Sequence, residues 1–417
     1  MTERRVVVTG YGALCCLGTS VNEIWENLIA GKCGIGMITH FDSTEYKSHI
    51  GGEIKNFDPS KYFPEKEGKH LDRFVQLAIA AADEAMAMAG LPHDLAGAGF
   101  NVKKIGSIVS SGIGGLKELT DAGKILLQRG PSRISPFFIP KMIIDMASGQ
   151  LSIRYGLKGP NFGVVSACAT GCHSIGEAYH IIKRKDADIM LAGGAEASIQ
   201  ELCISGFNAL KALSTRNDDP QHASRPFDLN RDGFVPSEGA GVLMLEELEH
   251  AQKRGAHILC EVIGYGATGD GFHITSPDPE GEGDAEAFRV AMEHAGIQPS
   301  DIDYINAHGT STSLNDKYET IAIKKAFGDA VKNVSISSTK GAIGHSLGAA
   351  GALESIFCMK AIETGIIPPT INYETPDPEC DLDITPNVAR RREVRIAANN
   401  NLGFGGHNAV VLYKRFE

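Results

Sequence analysis

The chain has 417 residues, of which 42% are hydrophobic and 22% charged, with 48 glycines and a formal net charge of −11. At about 150 residues per domain this suggests two or three domains or one large fused core, and the composition fits a soluble α/β enzyme better than a disordered or membrane protein. The acidic balance argues against general nucleic-acid binding, which needs a basic surface to displace counterions, while leaving room for a local basic patch.

In chain order, the first segment is MTERRVVVTGYGALCCLG, which has a superficial likeness to a signal peptide because two arginines precede an apolar run. Gly10 and Gly12 break that run, so VVVTG (6–10) is read as a buried first strand ending in a glycine turn. A helix is predicted over 74–90, a strand over 104–112, a strand over 162–167, a helix over 171–185 and a strand over 188–194. A second run of the same kind follows, with ILCEVIGYGATG (258–269), ITPNVARR (384–391) after a long loop, and the terminal pair RIAANN (395–400) and AVVLYK (409–414). Alternating strands and helices imply a layered α/β fold. HSIGEA starts at His173 and HSLGAA at His345, 172 positions later, each after a strand-like segment; this echo predicts two halves related by a pseudo-dyad. Residues 215–236 and 273–286, rich in Asp, Pro, Asn and Gly, are then excursions that carry binding surface. No transmembrane span is expected.

The cysteines stand at 15, 16, 33, 168, 172, 203, 260, 358 and 380, nine in all, a pattern of reduced cytoplasmic thiols and not of a disulfide framework. Cys168 lies in GVVSACATGCHSIG, between a β-branched run and a helix rich in small residues. A thiol facing a helix N-terminus can have its pKa lowered from about 8.5 towards 7 or below, beside backbone N–H groups free to hold an oxyanion. Cys15, Cys203, Cys260 and Cys358 read as buried structural cysteines. Cys168, Cys172 and His173 as metal ligands lack a second cysteine pair at ligand spacing, so no metal is expected. His308 ends the apolar stretch DIDYI in INAHGTSTSLND, beside hydroxyls; His345 and Lys340 stand in SSTKGAIGHSLGAAG. The same GHSLG also satisfies a G-x-S-x-G elbow, with Ser346, Asp381 or Asp383, and His407 in hydrolase order. That alternative, a serine hydrolase or malonyl acyltransferase, needs an apolar strand running into the first glycine, whereas Thr339-Lys340-Gly341 interrupts the approach.

Over essentially its whole length the chain resembles the β-ketoacyl-acyl-carrier-protein synthases, the type II elongating enzymes of the thiolase fold. Ala167 to Gly171 match the family's Ala-Cys-Ala-Thr-Gly. The His308 motif matches Asn-Ala-His-Gly-Thr-Ser-Thr-Pro except that Ser313 replaces proline, and the Lys340–His345 spacing is kept although Gly341, Ala342 and Ile343 depart from the pattern. NNNLGFGGHN matches a Gly-Phe-Gly-Gly-Thr-Asn loop, with His407 in place of threonine.

The resemblance implies a five-layered α/β/α/β/α fold with two pseudo-symmetric halves, residues 1–255 carrying the nucleophile and 256–417 both histidines. It implies decarboxylative condensation of an acyl group on Cys168 with malonyl thioester, His308 and His345 stabilising the enolate and Lys340 giving electrostatic support near the carboxylates Asp316 and Glu319. Phe404 would gate the acyl pocket and complete the oxyanion hole with Cys168, on a hinge including Gly405 and Gly406. Thr310, Thr312, His273 and Thr275 would line the pantetheine channel, and Ile113 would limit acyl length. Lys66, Lys69, Arg133 and Arg216 match basic positions that dock the acyl carrier protein, which brings the phosphopantetheine, so no cofactor is expected. PFFIPK (136–141) matches a homodimer interface. A polyketide-type ketosynthase stays open as an alternative. A non-enzymatic chain-length factor is disfavoured, because those lack the cysteine.

Overall fold

In the computed structural model, which describes residues 3–417, the first strand, Val6–Cys15 (β1), does not stop at the expected glycine turn. It runs through Gly10 and Gly12 because helix α1 (Arg73–Met88) lies directly on them. A Cβ at Gly10 would sit 2.3 Å from the Ala85 carbonyl oxygen, and one at Gly12 2.1 Å from that of Ala81.

The further strands of the main sheet are Ile105–Ser110 (β2), Ile189–Glu196 (β3), Gly239–Glu247 (β4), Cys260–Gly269 (β5), Tyr304–Asn306 (β6), Ser335–Ser337 (β7), Ile396–Gly403 (β8) and His407–Lys414 (β9). Their order across this nine-stranded sheet is β2-β3-β4-β1-β5-β9-β8-β6-β7. The halves meet where Val6–Val8 pair antiparallel with Cys260–Val262. Outward from this seam both read alike: β4 and β3 on one side, and β9 and β8 on the other, pair antiparallel, after which β2 on one side and β6 on the other join parallel. On the second side β7 adds one more parallel strand. The matching position on the first side is held by the segment expected as a strand over 162–167. It forms no ladder, because its backbone groups are taken by side chains: the Val164 N–H donates to the Ser110 hydroxyl (3.0 Å) and the Phe162 carbonyl accepts from the Ser148 hydroxyl (3.2 Å), while just before it Asn161 bridges Ser107 and the Ser107 N–H donates to the Pro160 carbonyl. Likewise 384–391 contributes only Arg390–Arg391, paired with Ile366–Ile367.

Helix α1 and helix α2 (Met146–Tyr155) cover the outer face of the first half-sheet, with Phe74, Leu77, Ala81 and Leu151 packed on Val109, Leu191 and Val242. Helices α5 (Glu282–Ala295) and α6 (Ser313–Phe327) cover the outer face of the second through Phe288 and Phe327. Between the half-sheets lie α3 (Thr170–Lys183) and α7 (Ala350–Thr364), whose Ile175, Ile182, Leu353 and Phe357 meet Val8, Leu243 and Val411 in the largest core. This gives the five layers α/β/α/β/α.

The two inner helices also show the repeat at its true register. Each is entered through a single 3₁₀ turn, Ala167–Ala169 and Leu347–Ala349, whose first residue has positive φ, 52° and 46°. The halves therefore correspond 180 residues apart here. The HSIGEA and HSLGAA echo is out of register, since His173 lies within α3 whereas His345 precedes its turn.

Candidate active site

Cys168 stands at the centre of the first of these turns. Ala167, held at φ 52°, is a non-glycine residue in the left-handed region, a strain that persists only where the surroundings over-determine it. The turn places Cys168 on the wall of a cavity of about 390 Å³, together with His308, His345, Thr310, Thr312 and Phe404. His308 follows β6, and its backbone is fixed by Glu319 of α6, which accepts the N–H groups of His308 (2.6 Å) and Gly309 (2.7 Å). His345 is pinned by a short bridge: its N–H donates to the Val235 carbonyl (2.7 Å) and its carbonyl accepts from Ser237 (2.9 Å). The two imidazoles meet edge to face with centroids 5.2 Å apart, and Phe234 packs on the far side of His345 at 5.3 Å. Nδ1 of each is buried without a hydrogen-bond partner.

Lys340 corrects one expectation. It is fully buried and forms an ion pair with Glu354 of α7, itself fully buried, and not with Asp316 or Glu319. Asp316 accepts from the Phe227 N–H (2.8 Å) and Ser311 and lies 3.8 Å from Arg231; Glu319 accepts from Asn400 (2.8 Å) besides the His308 loop. These carboxylates brace backbone turns. Glu354 escaped sequence reasoning, although a lone carboxylate in the apolar run GALESIFCMKAI was a usable sign.

The Cys168 thiol corrects another. Burial pushes it up to about 12; the Lys340 ammonium and the backbone N–H groups of Phe404 and Cys168 pull down, while Glu196 pushes further up. The helix-terminus argument named a true local effect that loss of hydration outweighs. Burial and then Lys340 hold both His308 and His345 well below the ordinary imidazole range, with His345 adding to the effect on His308. The site thus presents two neutral imidazoles, a buried ammonium, and a thiol within reach of two backbone N–H groups.

Ile113, Thr275, Thr310, Thr312, Phe404 and Gly406 line the cavity. Gly405 does not; its φ is 95° and its N–H donates to the Ile274 carbonyl (2.8 Å), tying the glycine turn to the neighbouring loop. Nor does His273, which is exposed and accepts on Nδ1 the N–H groups of Thr275 (3.2 Å) and Ser276 (3.1 Å). Lys66 and Arg133 are exposed, Lys69 is exposed and paired with Glu65 at 2.7 Å, and Arg216 is half-buried, donating to the Asn230 carbonyl at 3.2 Å.

The competing readings do not assemble. The Ser346 hydroxyl is buried, partnerless and off the cavity wall, Asp381 pairs with Lys324, Asp383 with Arg390, and His407 is exposed beside His173. Cys172 points to the Ala409 carbonyl (3.5 Å), and His173 bonds the Ser166 hydroxyl (2.8 Å), so neither converges with Cys168 on a metal.

Two half-sheets around paired inner helices, with a cysteine on one helix-opening turn and a histidine beside the other, define a thiolase-fold condensing enzyme. The chain belongs to the β-ketoacyl synthase family: the N-terminal domain of that family matches residues 3–251 and its C-terminal domain residues 259–374. It is 51% identical over 415 residues to a Staphylococcus aureus (strain N315) 3-oxoacyl-[acyl-carrier-protein] synthase 2, covering 100% of this chain and 99% of that protein. With the protein of the same name from Synechocystis sp. it shares 47% over 417 residues, covering 100% and 99%. Among solved structures it is similar to a β-ketoacyl synthase from Burkholderia phymatum (TM-score 0.90, 33% identity, 99% and 100% covered). A type II polyketide acyl-carrier protein in complex with its ketosynthase also matches (TM-score 0.90, 34% identity, 100% of both chains).

Proposed function

We propose that the protein elongates fatty-acyl chains by decarboxylative Claisen condensation of an acyl-enzyme with malonyl-acyl carrier protein, giving 3-oxoacyl-acyl carrier protein and CO₂. The observation that carries this is the thiol of Cys168, under the N–H groups of Phe404 and Cys168, in one cavity with two neutral imidazoles. In the first step Cys168 Sγ forms a thioester with the acyl group, and the carrier thiol leaves with the proton from Cys168. The malonyl C–CO₂ bond then breaks, and its electron pair moves onto the thioester oxygen, where N–H donors of His308 and His345 stabilise the enolate. The enolate carbon attacks the acyl carbonyl, the oxyanion sits against the two backbone N–H groups, and collapse breaks the S–C bond and frees Cys168 as a thiolate, which takes up one proton from solvent to restore the thiol. Burial, with Lys340 adding to it, keeps both imidazoles neutral, and Lys340 pulls the Cys168 thiol down against its burial.

The partner in this reading is the acyl carrier protein, with Lys66, Lys69, Arg133 and Arg216 as the docking charges, and it brings the phosphopantetheine, so that no resident cofactor takes part. A homodimer is supported by the exposed apolar residues Leu126, Leu127, Phe137 and Ile139 and by Phe162 and Val165 on the unpaired sheet edge. Fatty-acid elongation is favoured by the full-length 51% identity to a 3-oxoacyl-[acyl-carrier-protein] synthase 2. The described residues contain no helix long and apolar enough to cross a membrane, and their cysteines are all free, which supports a reducing, cytoplasmic setting. Mass spectrometry after incubation with acyl-carrier-protein thioesters of graded length tests the proposal. An acyl adduct on Cys168 is expected; no adduct, or one on Ser346, would overturn it.

A further inference from the structure

Glu196 closes β3 with its carboxylate in the protein interior, fully buried and, among the described residues, with no cation paired to it. Its partners come from both halves. Oε1 accepts from the Ser111 hydroxyl (2.6 Å); Oε2 accepts from the Gly112 N–H (2.8 Å) on the loop after β2 and from the Gly348 N–H (3.0 Å) in the turn Leu347–Ala349. The Ser111 hydroxyl in turn accepts from the N–H groups of Ile113 (3.2 Å) and Gly114 (2.6 Å). The two turns touch backbone to backbone, since a Cβ on Gly348 would lie 2.3 Å from Gly112 N. A carboxylate is the one side chain that receives three donors without presenting a donor of its own. A buried charge with no cation is expensive to keep, so its place at this junction calls for a role.

Both turns are cavity wall: Gly112 and Ile113 face it from one half, Leu347 and His345 from the other. We propose that Glu196 is a positioning residue for acyl-chain selection, clamping the Ile113 turn to the Leu347 turn and so fixing the width of the cavity where the acyl chain lies. This rests on the condensing function proposed above. Glu196 touches no reacting atom; it acts through the walls. Burial raises its carboxyl to about 7 against the pull of the Ser111 hydroxyl and the N–H groups of Gly112, Gly348 and Ile113. The titratable groups facing it are the thiols of Cys168 and of Cys203 on helix α4 (Glu201–Ala209), both held neutral by burial, so Glu196 is the group there that changes charge near neutral pH. Protonated, it turns a donor towards one of its three donors and the clamp loosens.

The test measures acylation of Cys168 by thioesters of graded length in the wild type, Glu196→Gln and Ser111→Ala, with malonyl decarboxylation as the second readout. Loss of one hydrogen bond to a charged acceptor corresponds to about tenfold. Glu196→Gln should therefore raise the long-to-short acylation ratio about tenfold with decarboxylation within about twofold of wild type, and Ser111→Ala should shift the ratio the same way by about threefold. Between pH 6 and 8 the wild-type ratio should drift while that of Glu196→Gln stays flat. If Glu196→Gln does not fold, the Ser111→Ala shift and the wild-type drift decide. An unchanged ratio, or equal loss for every length and for decarboxylation, overturns the clamp alone. Absence of any acylation in the wild type overturns the condensing function and the clamp with it.

Discussion

Removing the Lys340 ammonium tests whether its pair with Glu354 serves the fold, the chemistry or both. In Lys340→Met the Glu354 carboxylate stays fully buried, with only the Asn401 amide (2.9 Å) left as a donor. Breaking a buried pair by deleting one partner costs about 3–5 kcal/mol, whereas replacing both by apolar residues of similar volume leaves stability nearly unchanged. Guanidinium denaturation should thus show Lys340→Met about 3–5 kcal/mol below wild type and Lys340→Met/Glu354→Met close to it. Burial already raises the Glu354 carboxyl against the pull of Lys340, and loss of the ammonium raises it further. A carboxyl whose folded value exceeds its unfolded one gives stability that is fully present below the unfolded value of 4.5 and is lost as pH rises through the folded one. The deficit of Lys340→Met should therefore shrink at pH 5 and widen at pH 8. Catalysis should not recover with stability: both variants lose the cation that pulls the Cys168 thiol down, so iodoacetamide should alkylate Cys168 more slowly in each. A double variant as unstable as the single one, or a deficit independent of pH, would refute the argument.

Cys168→Ala should abolish acyl-enzyme formation and condensation, while Ser346→Ala leaves both largely intact; mass spectrometry of the adduct separates them. His308→Ala and His345→Ala should still allow acylation but cut malonyl decarboxylation at least about a hundredfold each, as for lost oxyanion donors, measured as CO₂ release. Because burial holds the Cys168 thiol up at about 12, its alkylation rate in the free enzyme should keep rising with pH and show no plateau below pH 9; a plateau near pH 7 would restore the helix-terminus reading. Charge reversal at Lys66, Lys69 and Arg133 should raise KM for carrier-bound substrate, most at low salt, and leave a small pantetheine thioester barely affected; equal losses with both would place these residues in the fold.

The layered α/β character and the helix over 171–185 were legible in local pattern, whereas the five layers and the convergence of Cys168, His308 and His345 were legible only through the family resemblance that their ordered motifs carry. Where the reading failed, the deciding contact lay far along the chain. Gly10 and Gly12 looked like a turn because a glycine permits one; the contact that needs them is with α1, about seventy residues later. Residues 162–167 have strand composition, yet a strand needs backbone partners, and here the Val164 N–H and the Phe162 carbonyl are taken by the side chains of Ser110 and Ser148. Lys340 was placed with Asp316 and Glu319 by the resemblance, which puts a carboxylate pair near the lysine, whereas its ion-pair partner is Glu354 of α7.

The departures at Gly341, Ala342 and Ile343 become intelligible in the same way. The Gly34 N–H donates to the Ala342 carbonyl (2.9 Å), and the thiols of Cys33 and Cys16 reach the carbonyls of Gly341 (3.7 Å) and Ile343 (3.4 Å). A Cβ on Gly341 would lie 3.0 Å from the Ile371 carbonyl oxygen, tighter than an ordinary contact, so a side chain at 341 would press Ile371 outward by a few tenths of an ångström. The short segment between Lys340 and His345 is therefore held from outside by residues 16, 33 and 34 and from the other side by Ile371. Its unusual sequence matches those neighbours, and the lysine and histidine at its ends keep their places because the segment is braced along its whole length.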